Sequence, residues 1–284
     1  MPNKIAFLFL TLDNPNFPNV WNEYFKNNEE KINIYIHPKY PEKVTWKPEC
    51  IIDKLVPTEW GFIVSAYKQL FKYAFDDDKK NKKFITLSES CLPIKPFNKL
   101  YKDLMKDVDQ SLIKLLPITK FDYEIRINEI IKKKINRNLI KHYARMCLTR
   151  NNIKELFKNK SKLKLFEEIH VGDEFFLSSI YPINNFKDLA IIHDDWEYVN
   201  KQIKIMKNEI RKLYEEQEQN KNIDNTKLIL ELKKKKDKRA NNPKNIIIVS
   251  NEDLDNMTKT KSYFYRKFDK LSDIEKYIYS FIKN

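Results

Sequence analysis

An adjacent acid pair follows one of the chain's only two glycines, in the stretch His170-Val171-Gly172-Asp173-Glu174-Phe175-Phe176-Leu177. A chain this poor in glycine is expected to keep one where the backbone must bend or closely approach another segment. Asp173 is predicted to cap a helix that begins here, which places Glu174 in the first helical turn. A carboxylate held on a rigid element is suited to act as a general base. The alternative is that both acids only offset the helix dipole.

Two further polar clusters carry groups that bind sugars or nucleotides. Ser88-Glu89-Ser90 comes directly after the apolar run Phe84-Ile85-Thr86-Leu87, and Asp194-Asp195 lies beside Trp196 and Tyr198. Small polar and acidic groups at the carboxyl end of a strand are placed where a nucleotide-sugar would be held. Aromatic rings stack on sugar faces and carboxylates bind sugar hydroxyls, so the second cluster suits a sugar site. Ordinary loop packing is the alternative for that cluster.

Two other candidates are weaker. His37 follows the predicted strand Ile32–Ile36 and is a candidate nucleotide contact, although a lone histidine is more often structural. Asp76-Asp77-Asp78 matches the Asp-x-Asp pattern that holds a divalent metal in many sugar-nucleotide enzymes. The lysine-rich segment Lys79–Lys83 follows it directly, so a solvated loop at a helix end is the favoured interpretation.

The elements that must position these groups follow a strand, helix, strand order. Residues 4–12 form a continuous apolar run, as expected for a strand buried on both faces of a parallel sheet. A helical pattern at 20–25 and a strand at 32–36 complete a βαβ unit. Helical spacing marks 65–75, and further strands are predicted at 84–87, 189–192 and 246–249. These patterns predict an α/β domain with a mostly parallel sheet.

Composition limits the class of protein. With 284 residues, 42% of them hydrophobic, the chain can bury a large core, and we predict a single domain over residues 1–284. No apolar run is long enough to span a membrane, and the start has no signal-peptide pattern. The three cysteines are far apart and fit a reducing compartment rather than a zinc site or a disulfide scaffold. We therefore expect a soluble, cytoplasmic protein.

The charge distribution points to anionic partners only weakly. A net charge of +14 attracts polyanions. Heavy use of Lys, Asn and Ile is also typical of an AT-rich genome, such as that of a large DNA virus or a microbe, and no nucleic-acid-binding motif is present. Residues 200–240 are predicted to form a helical, lysine-rich insertion, either a hairpin or a mobile basic arm. A solvated charge run is the favoured interpretation of its lysines.

Taken in order along the chain, these motifs resemble the core-2/I-branching β-1,6-N-acetylglucosaminyltransferase family, which includes protein xylosyltransferases and plant relatives. The more specific pieces are Ser88-Glu89-Ser90-Cys91-Leu92-Pro93 and Arg266-Lys267-Phe268. The weaker pieces are Ile34-Tyr35-Ile36-His37, Trp60-Gly61 with Ser65-Ala66, Leu148-Thr149-Arg150, Asp173-Glu174 and Asp195-Trp196-Glu197-Tyr198. The resemblance spans roughly residues 4–198 and 243–283.

This resemblance implies a GT-A-type fold and an inverting transferase that uses a uridine diphosphate sugar without a metal. Glu174 would be the catalytic base that deprotonates an acceptor hydroxyl as it attacks the anomeric carbon. Lys267 would neutralise the leaving diphosphate, and Arg266 could share this task. Lys244 is the nearest match to a family arginine at the diphosphate, although lysine lacks the bidentate fork of arginine.

The remaining family contacts are expected at matching positions. The residues expected at the nucleotide or its sugar are His37, Trp60, Ser88, Glu89, Ser90 and Asp173. Those expected near the acceptor or donor sugar are Arg150, Asp195, Trp196 and Tyr198. The resemblance implies no metal and no other cofactor.

We therefore predict an inverting, metal-independent glycosyltransferase that forms a β linkage to a hydroxyl of a glycan or glycoprotein. N-acetylglucosamine is the leading transferred sugar by resemblance, and UDP-xylose and UDP-glucose remain open as donors. Two alternatives belong to other classes. One is a non-catalytic nucleotide-sugar or glycan-binding module on the same fold, and the other is a basic nucleic-acid-binding protein.

Overall fold

The computed structural model describes residues 2–125, 127, 139–180, 182–220, 223–240 and 243–283. The strands are β1 Lys4–Thr11, β2 Ile32–Pro38, β3 Asn81–Ser88, β4 Leu92–Pro93, β5 Ser111–Leu112, β6 Leu115–Leu116, β7 Lys141–His142, β8 Cys147–Thr149, β9 Phe186–Lys187, β10 Ile192–Asp194 and β11 Phe264–Arg266. The α-helices are α1 Pro18–Phe25, α2 Val64–Asp77, α3 Phe97–Lys106, α4 Lys120–Ile125, α5 Arg150–Lys158, α6 Lys160–Lys164, α7 Trp196–Gln219, α8 Thr226–Ala240, α9 Asn251–Lys259 and α10 Glu275–Ile282.

The central sheet has six strands in the order β2-β1-β3-β8-β5-β9. β1 pairs in parallel with β2 on one side and β3 on the other, as the apolar runs predict. β8 pairs antiparallel with both β3 and β5, and β9 pairs in parallel with β5. A smaller sheet has the order β10-β11-β4. The expected α/β architecture, with a mostly parallel central sheet flanked by helices, is confirmed.

Both faces of β1 are buried. Ile5, Phe7 and Phe9 belong to an apolar cluster that includes α1 and β11, whereas Ala6 and Leu8 belong to a second cluster that includes α2. This alternation follows from the two-residue period of a strand. Each fully buried side chain of phenylalanine or leucine size contributes about 1.5–3 kcal/mol to folding. The sheet is therefore a well-packed platform for the loops that follow its strands.

The prediction of a strand at residues 246–249 is wrong. Ile246 forms only an isolated bridge with Phe268, and the Ile248 side chain is 77% exposed. The neighbouring backbone groups bond to a loop instead of a strand. The Val249 N–H donates to the Asp273 carboxylate, and the Ile247 carbonyl accepts from the Asp273 N–H. The apolar run therefore satisfies its hydrogen bonds without a sheet ladder.

Residues 196–240 contain two helices that pack against each other. α7 begins at Trp196, four residues before the predicted start of the insertion, and α8 follows after a short connection. Their shared apolar contact consists of Ile210, Ile229 and Leu232, with Leu213 packed against them. Residues 221 and 222 of the connection lie outside the described part of the chain. Across the described residues, no helix is both long and apolar enough to cross a membrane.

Candidate active site

A cleft of about 620 Å³ lies at the carboxyl ends of the parallel strands. Residues 10–12 at the end of β1, Lys39 after β2, and Ser88 and Glu89 at the end of β3 all line it. Loops that follow parallel strands emerge at one edge of a sheet, which is where ligands bind in open α/β folds. Segments around residues 58–61, 141–145, 171–174 and 266–267 complete most of the lining. The cleft therefore combines groups that are far apart in sequence.

The two glycines shape the turn that carries the acid pair. Gly61 has a φ of +84°, in the left-handed region that favours glycine, and its carbonyl accepts a hydrogen bond from the Val171 N–H at 2.6 Å. A Cβ atom on Gly172 would overlap the carbonyl oxygen of Phe166. Both positions need glycine because another backbone segment or a close neighbour occupies the space. The prediction that this glycine is kept by geometry agrees with these contacts.

The helix predicted to start at Asp173 is not formed. Gly172–Glu174 is a single 3-10 turn preceded by Val171 in the left-handed region, and no side chain caps it. A second 3-10 turn, Phe176–Ile180, follows directly. Asp173 is buried and lines the cleft together with Glu174. The cap prediction is wrong, and both acids line the same cleft.

Lys141 on β7 lies next to the candidate base. Its Nζ atom is 3.7 Å from Glu174 Oε2 and 3.1 Å from Asp122 Oδ1 on α4. The Asp122 side chain is only 1% exposed. Burial alone would raise the pKa of Asp122, but hydrogen bonds from Thr119 and Lys141 outweigh it and lower that pKa. Lys141 is therefore held by a buried carboxylate and presents its charge to Glu174.

His142 connects the strand that carries Lys141 to the turn after Glu174. Its Nδ1–H donates to the Tyr143 carbonyl at 2.9 Å, and its Nε2 accepts from the Leu177 N–H at 3.3 Å. Burial lowers the pKa of His142 to about 4, so the ring is neutral at pH 7. A neutral imidazole can donate from one nitrogen and accept at the other, which these two bonds require. His142 therefore fixes the segment that positions Glu174.

Three cations line the cleft besides Lys141 and Lys39: Arg145, Arg266 and Lys267. Arg266 Nη1 lies 3.3 Å from Asp194 Oδ2. The Nε atoms of Arg145 and Arg266 are shielded from solvent and have no hydrogen-bond partner within the described chain. Burial lowers the pKa of Lys267, and the neighbouring Arg266 lowers it further. This cluster of like charges would be stabilised by a bound anion.

Other predicted residues reach the same cleft. Ser88 is buried, with its Oγ 3.2 Å from Ser90 Oγ and 3.3 Å from Cys91 Sγ, and Glu89 lines the cleft beside it. Trp60 lines the cleft with 69% of its surface exposed, and its ring centroid is 5.1 Å from that of His170. Trp196, in the first turn of α7, also lines it. The structure thus brings two aromatic rings to the acid pair and the cations.

The structure places Arg150 and His37 away from the cleft lining. Arg150 Nη2 donates to the Phe75 carbonyl at 2.7 Å and Nη1 to the Asp78 carbonyl at 3.1 Å, at the amino end of β3. His37 is fully buried, and its Nε2 accepts from the Val56 N–H at 3.1 Å. These contacts assign structural roles to both residues. The Asp76–Asp78 triplet lies at the same amino-terminal edge as Arg150, where Asp78 pairs with Lys4.

Four other predicted contacts are engaged elsewhere. Lys244 Nζ is 2.6 Å from the buried Asp253 carboxylate and 4.7 Å from the centroid of the Tyr198 ring. Asp195 caps α7 by accepting the Tyr198 N–H at 3.0 Å. Among the described residues, the cleft lining does not include Lys244, Asp195, Tyr198 or Ser90. Lys244, Asp195 and Ser90 are each engaged by a neighbouring side chain or backbone group, although each is next in sequence to a residue that lines the cleft.

Several polar groups that line the cleft were not assigned to the site from the sequence, among them Lys141, Tyr143 and Arg145. Arg145 and Arg150 flank β8, which runs antiparallel to β3. The amino end of β8 therefore lies at the carboxyl end of β3, and Arg145 rather than Arg150 reaches the cleft. Periodicity in the sequence does not reveal the direction of so short a strand. Asp194, which the sequence indicated as part of the acid pair beside Trp196, also lines the cleft, whereas its neighbour Asp195 does not.

Comparison with known proteins gives one family. A family model described as "Branch: Core-2/I-Branching enzyme" matches residues 5–258 of the 284. The match includes the carboxyl ends of β1, β2 and β3 and the Asp173-Glu174 turn, and it ends before β11 with Arg266 and before Lys267. A search of curated proteins found no match to the chain.

Proposed function

The chain belongs to the core-2/I-branching enzyme family of UDP-sugar glycosyltransferases, and we propose that it is an inverting, metal-independent member that transfers N-acetylglucosamine. The mixed α/β architecture is consistent with a GT-A-like fold. The family implies a nucleotide-sugar donor and a glycan acceptor. In our proposal the acceptor is a hydroxyl of a glycan or glycoprotein, and the new linkage is β.

One observation carries the proposal: Glu174 shares a single cleft with Arg145, Arg266 and Lys267. An inverting transfer needs a base for the acceptor hydroxyl and positive charge for the departing diphosphate. Both kinds of group are present at the edge of the sheet where nucleotides bind in α/β folds. A module that only binds glycans needs no general base, so a carboxylate such as Glu174 that an adjacent Lys141 keeps ionised favours a transferase.

The proposed step begins with the acceptor. Glu174 takes the proton of the acceptor hydroxyl while that oxygen forms a bond to the anomeric carbon of the donor. The bond between that carbon and the diphosphate oxygen breaks on the opposite face, which inverts the configuration. Lys141 lies 3.7 Å from Glu174 and favours its ionised, proton-accepting form. Asp122 in turn holds the Lys141 ammonium in place.

The departing diphosphate is neutralised by the three cations in place of a metal. Arginine presents a planar fork that matches phosphate oxygens, whereas lysine acts as a point charge. The Lys267 pKa is lowered by burial and by Arg266, and a dianion bound beside it would favour the charged ammonium form against both effects. Lys244 is held by Asp253 away from the cleft, and we propose Arg145 for the role that the sequence suggested for Lys244.

The rest of the cleft is suited to the nucleotide and the sugars. Ser88, Glu89 and Asp173 offer hydroxyl and carboxylate oxygens to sugar hydroxyls or the nucleotide. Trp60 and Trp196 offer ring faces for stacking on a sugar. We propose that these five residues hold the donor and the acceptor against Glu174.

Calorimetric titration of UDP and of a panel of UDP-sugars, with EDTA present, tests the proposal. We expect UDP to bind without a divalent metal, and UDP-N-acetylglucosamine to bind and to release UDP slowly by hydrolysis. Lys267→Met should weaken UDP binding, with Lys79→Met as an exposed control at the far edge of the sheet. Activity that EDTA abolishes and manganese restores would overturn metal independence. Failure of UDP to bind at all would overturn the transferase proposal.

A further inference from the structure

Asp194 lines the cleft and has no role in the proposed transfer step. It is the last residue of β10, and Arg266 is the last residue of β11. The two strands pair in parallel, with Asp194 directly opposite Arg266. Side chains at opposed positions of neighbouring strands lie on the same face of a sheet. The register of the small sheet therefore brings this carboxylate and this guanidinium together at the cleft.

The ion pair between Asp194 and Arg266 is largely shielded from water. Arg266 Nη1 donates to Asp194 Oδ2 at 3.3 Å and to Oδ1 at 3.5 Å. The Arg266 and Asp194 side chains are only 10% and 12% exposed, so salt ions screen the pair weakly. Asp194 therefore neutralises the charge of Arg266 within the protein itself.

This ion pair leaves most of the guanidinium free. Arginine has five N–H donors on three nitrogens, and Asp194 engages only Nη1. In the described part of the chain, no acceptor bonds to Nε or Nη2, which form the opposite edge of the group. Phosphate oxygens accept two parallel hydrogen bonds from one edge of an arginine. Arg266 can therefore bind a phosphate and keep its contact with Asp194.

The negative charge of Asp194 also acts on the other two cations of the cluster. Burial alone would lower the pKa of Arg145, but negatively charged neighbours, Asp194 and Asp173 among them, raise it. Burial and Arg266 lower the pKa of Lys267, whereas Asp194 acts in the opposite direction. A fixed carboxylate among three cations offsets part of their attraction for an anion and repels a diphosphate bound beside them.

This repulsion matters when the product leaves. A transferase must release UDP after each transfer, and product release limits the turnover of many enzymes. An arginine whose only partner was the diphosphate would hold the product tightly, because departure of UDP would leave a buried charge unpaired. With Asp194 in place, Arg266 stays neutralised after UDP has left.

We propose that Asp194 is the resident counter-ion of Arg266, which holds the guanidinium for the diphosphate and limits how tightly the UDP product binds. This proposal rests on the proposed transferase function. Asp194 is a positioning residue, because it acts on the diphosphate through the cations and makes no bond to the reacting atoms. A carboxylate that only supported the fold would have the opposite effect, since its loss would weaken the site.

Calorimetric titration with UDP and with inorganic pyrophosphate, with EDTA present, tests this proposal. We expect Asp194→Asn to bind both ligands roughly five-fold more tightly than wild type, because one unit charge at about 4 Å contributes about that factor even in water. UDP should also inhibit donor hydrolysis by Asp194→Asn at a correspondingly lower concentration. Asp194→Glu keeps the charge and should keep the wild-type affinity. Asp195→Asn is the matched control, since Asp195 caps α7 and is not among the described residues that line the cleft.

The contrary outcomes are distinct. Unchanged or weaker UDP binding by Asp194→Asn would overturn the counter-ion proposal, as would equal tightening in Asp195→Asn. Weaker binding of UDP-N-acetylglucosamine by Asp194→Asn, with UDP affinity unchanged, would assign Asp194 to the sugar instead. A wild-type protein that binds pyrophosphate but not UDP would refute the transferase proposal, and the pyrophosphate titrations would still test the counter-ion. A wild-type protein that binds neither ligand would refute both proposals.

Discussion

Replacing Lys141 with methionine should shift the pH dependence of the enzyme. Lys141 Nζ lies 3.7 Å from Glu174 Oε2, and the two side chains are 14% and 27% exposed. Coulomb's law gives about 1 kcal/mol at this distance in water and about 4 kcal/mol at an effective dielectric constant of about 20. The lower end applies, because both side chains contact solvent and Lys141 also pairs with Asp122. We therefore expect about 1–2 kcal/mol, which corresponds to about one pH unit.

The assay is kcat/KM for donor hydrolysis as a function of pH, whose acid limb reports the base of the free enzyme. Loss of a nearby positive charge favours the protonated carboxyl group, so the acid limb should move to higher pH by about one unit in Lys141→Met. Lys141→Arg should keep the wild-type profile. Lys39→Met removes a different lysine of the cleft lining and controls for the general loss of charge.

Two outcomes would refute this reasoning. In one, the activity of Lys141→Met falls equally at all pH values, which would mean that Lys141 only supports the structure around the buried Asp122. In the other, Lys39→Met shifts the acid limb as far as Lys141→Met, which would mean that the ion pair with Glu174 has no specific effect. Urea unfolding of each variant shows whether it is folded at the pH of the assay.

Three further predictions concern the site and its support. Arg145→Gln should weaken UDP binding by roughly ten-fold or more. Lys244→Met should leave the calorimetric UDP affinity unchanged but lower the free energy of unfolding by about 2–3 kcal/mol, because it leaves the buried Asp253 carboxylate without its cation. Weaker UDP binding in Lys244→Met and not in Arg145→Gln would return the diphosphate role to Lys244. Gly172→Ala should lower that free energy by about 2–4 kcal/mol, because its Cβ overlaps a backbone carbonyl, and an unchanged thermal midpoint would contradict this. His142 becomes protonated near pH 6.5 in the unfolded chain but only near pH 4 in the folded protein, so the free energy of unfolding decreases as the pH is lowered from 6.5 to 4. Urea titrations at pH 7 and 4.5 should show that this decrease is smaller in His142→Gln by roughly 2–3 kcal/mol.

Apolar patterns predicted the centre of the fold well. The continuous run at 4–12 became β1, an interior strand that parallel partners flank on both sides. The groups at the carboxyl ends of β1 and β3 reach the cleft because parallel pairing alone brings those two ends to the same edge of the sheet. The run at 246–249 failed because its backbone groups found loop partners, which depend on a segment distant in sequence.

The candidate site was predictable only where motifs carry their own geometry. Glu174, Lys267 and Ser88 all line the cleft, and the scarcity of glycine drew attention to the Gly172 turn. The direction of β8 is a tertiary property that no local pattern encodes, so the sequence did not show that Arg145, rather than the predicted Arg150, reaches the cleft. Lys141 belongs to a charged segment without periodicity, and its role depends on the buried Asp122 brought to it by folding.

The most direct test of the central claim compares wild type with Glu174→Gln. UDP release from UDP-N-acetylglucosamine is measured with EDTA present, and UDP affinity is measured by calorimetry in the same preparation. We predict that Glu174→Gln binds UDP as tightly as wild type but releases UDP from the donor sugar at least a hundred-fold more slowly, because the amide cannot accept the proton. A Glu174→Gln enzyme with wild-type turnover would contradict the assignment of the base and with it the proposed mechanism.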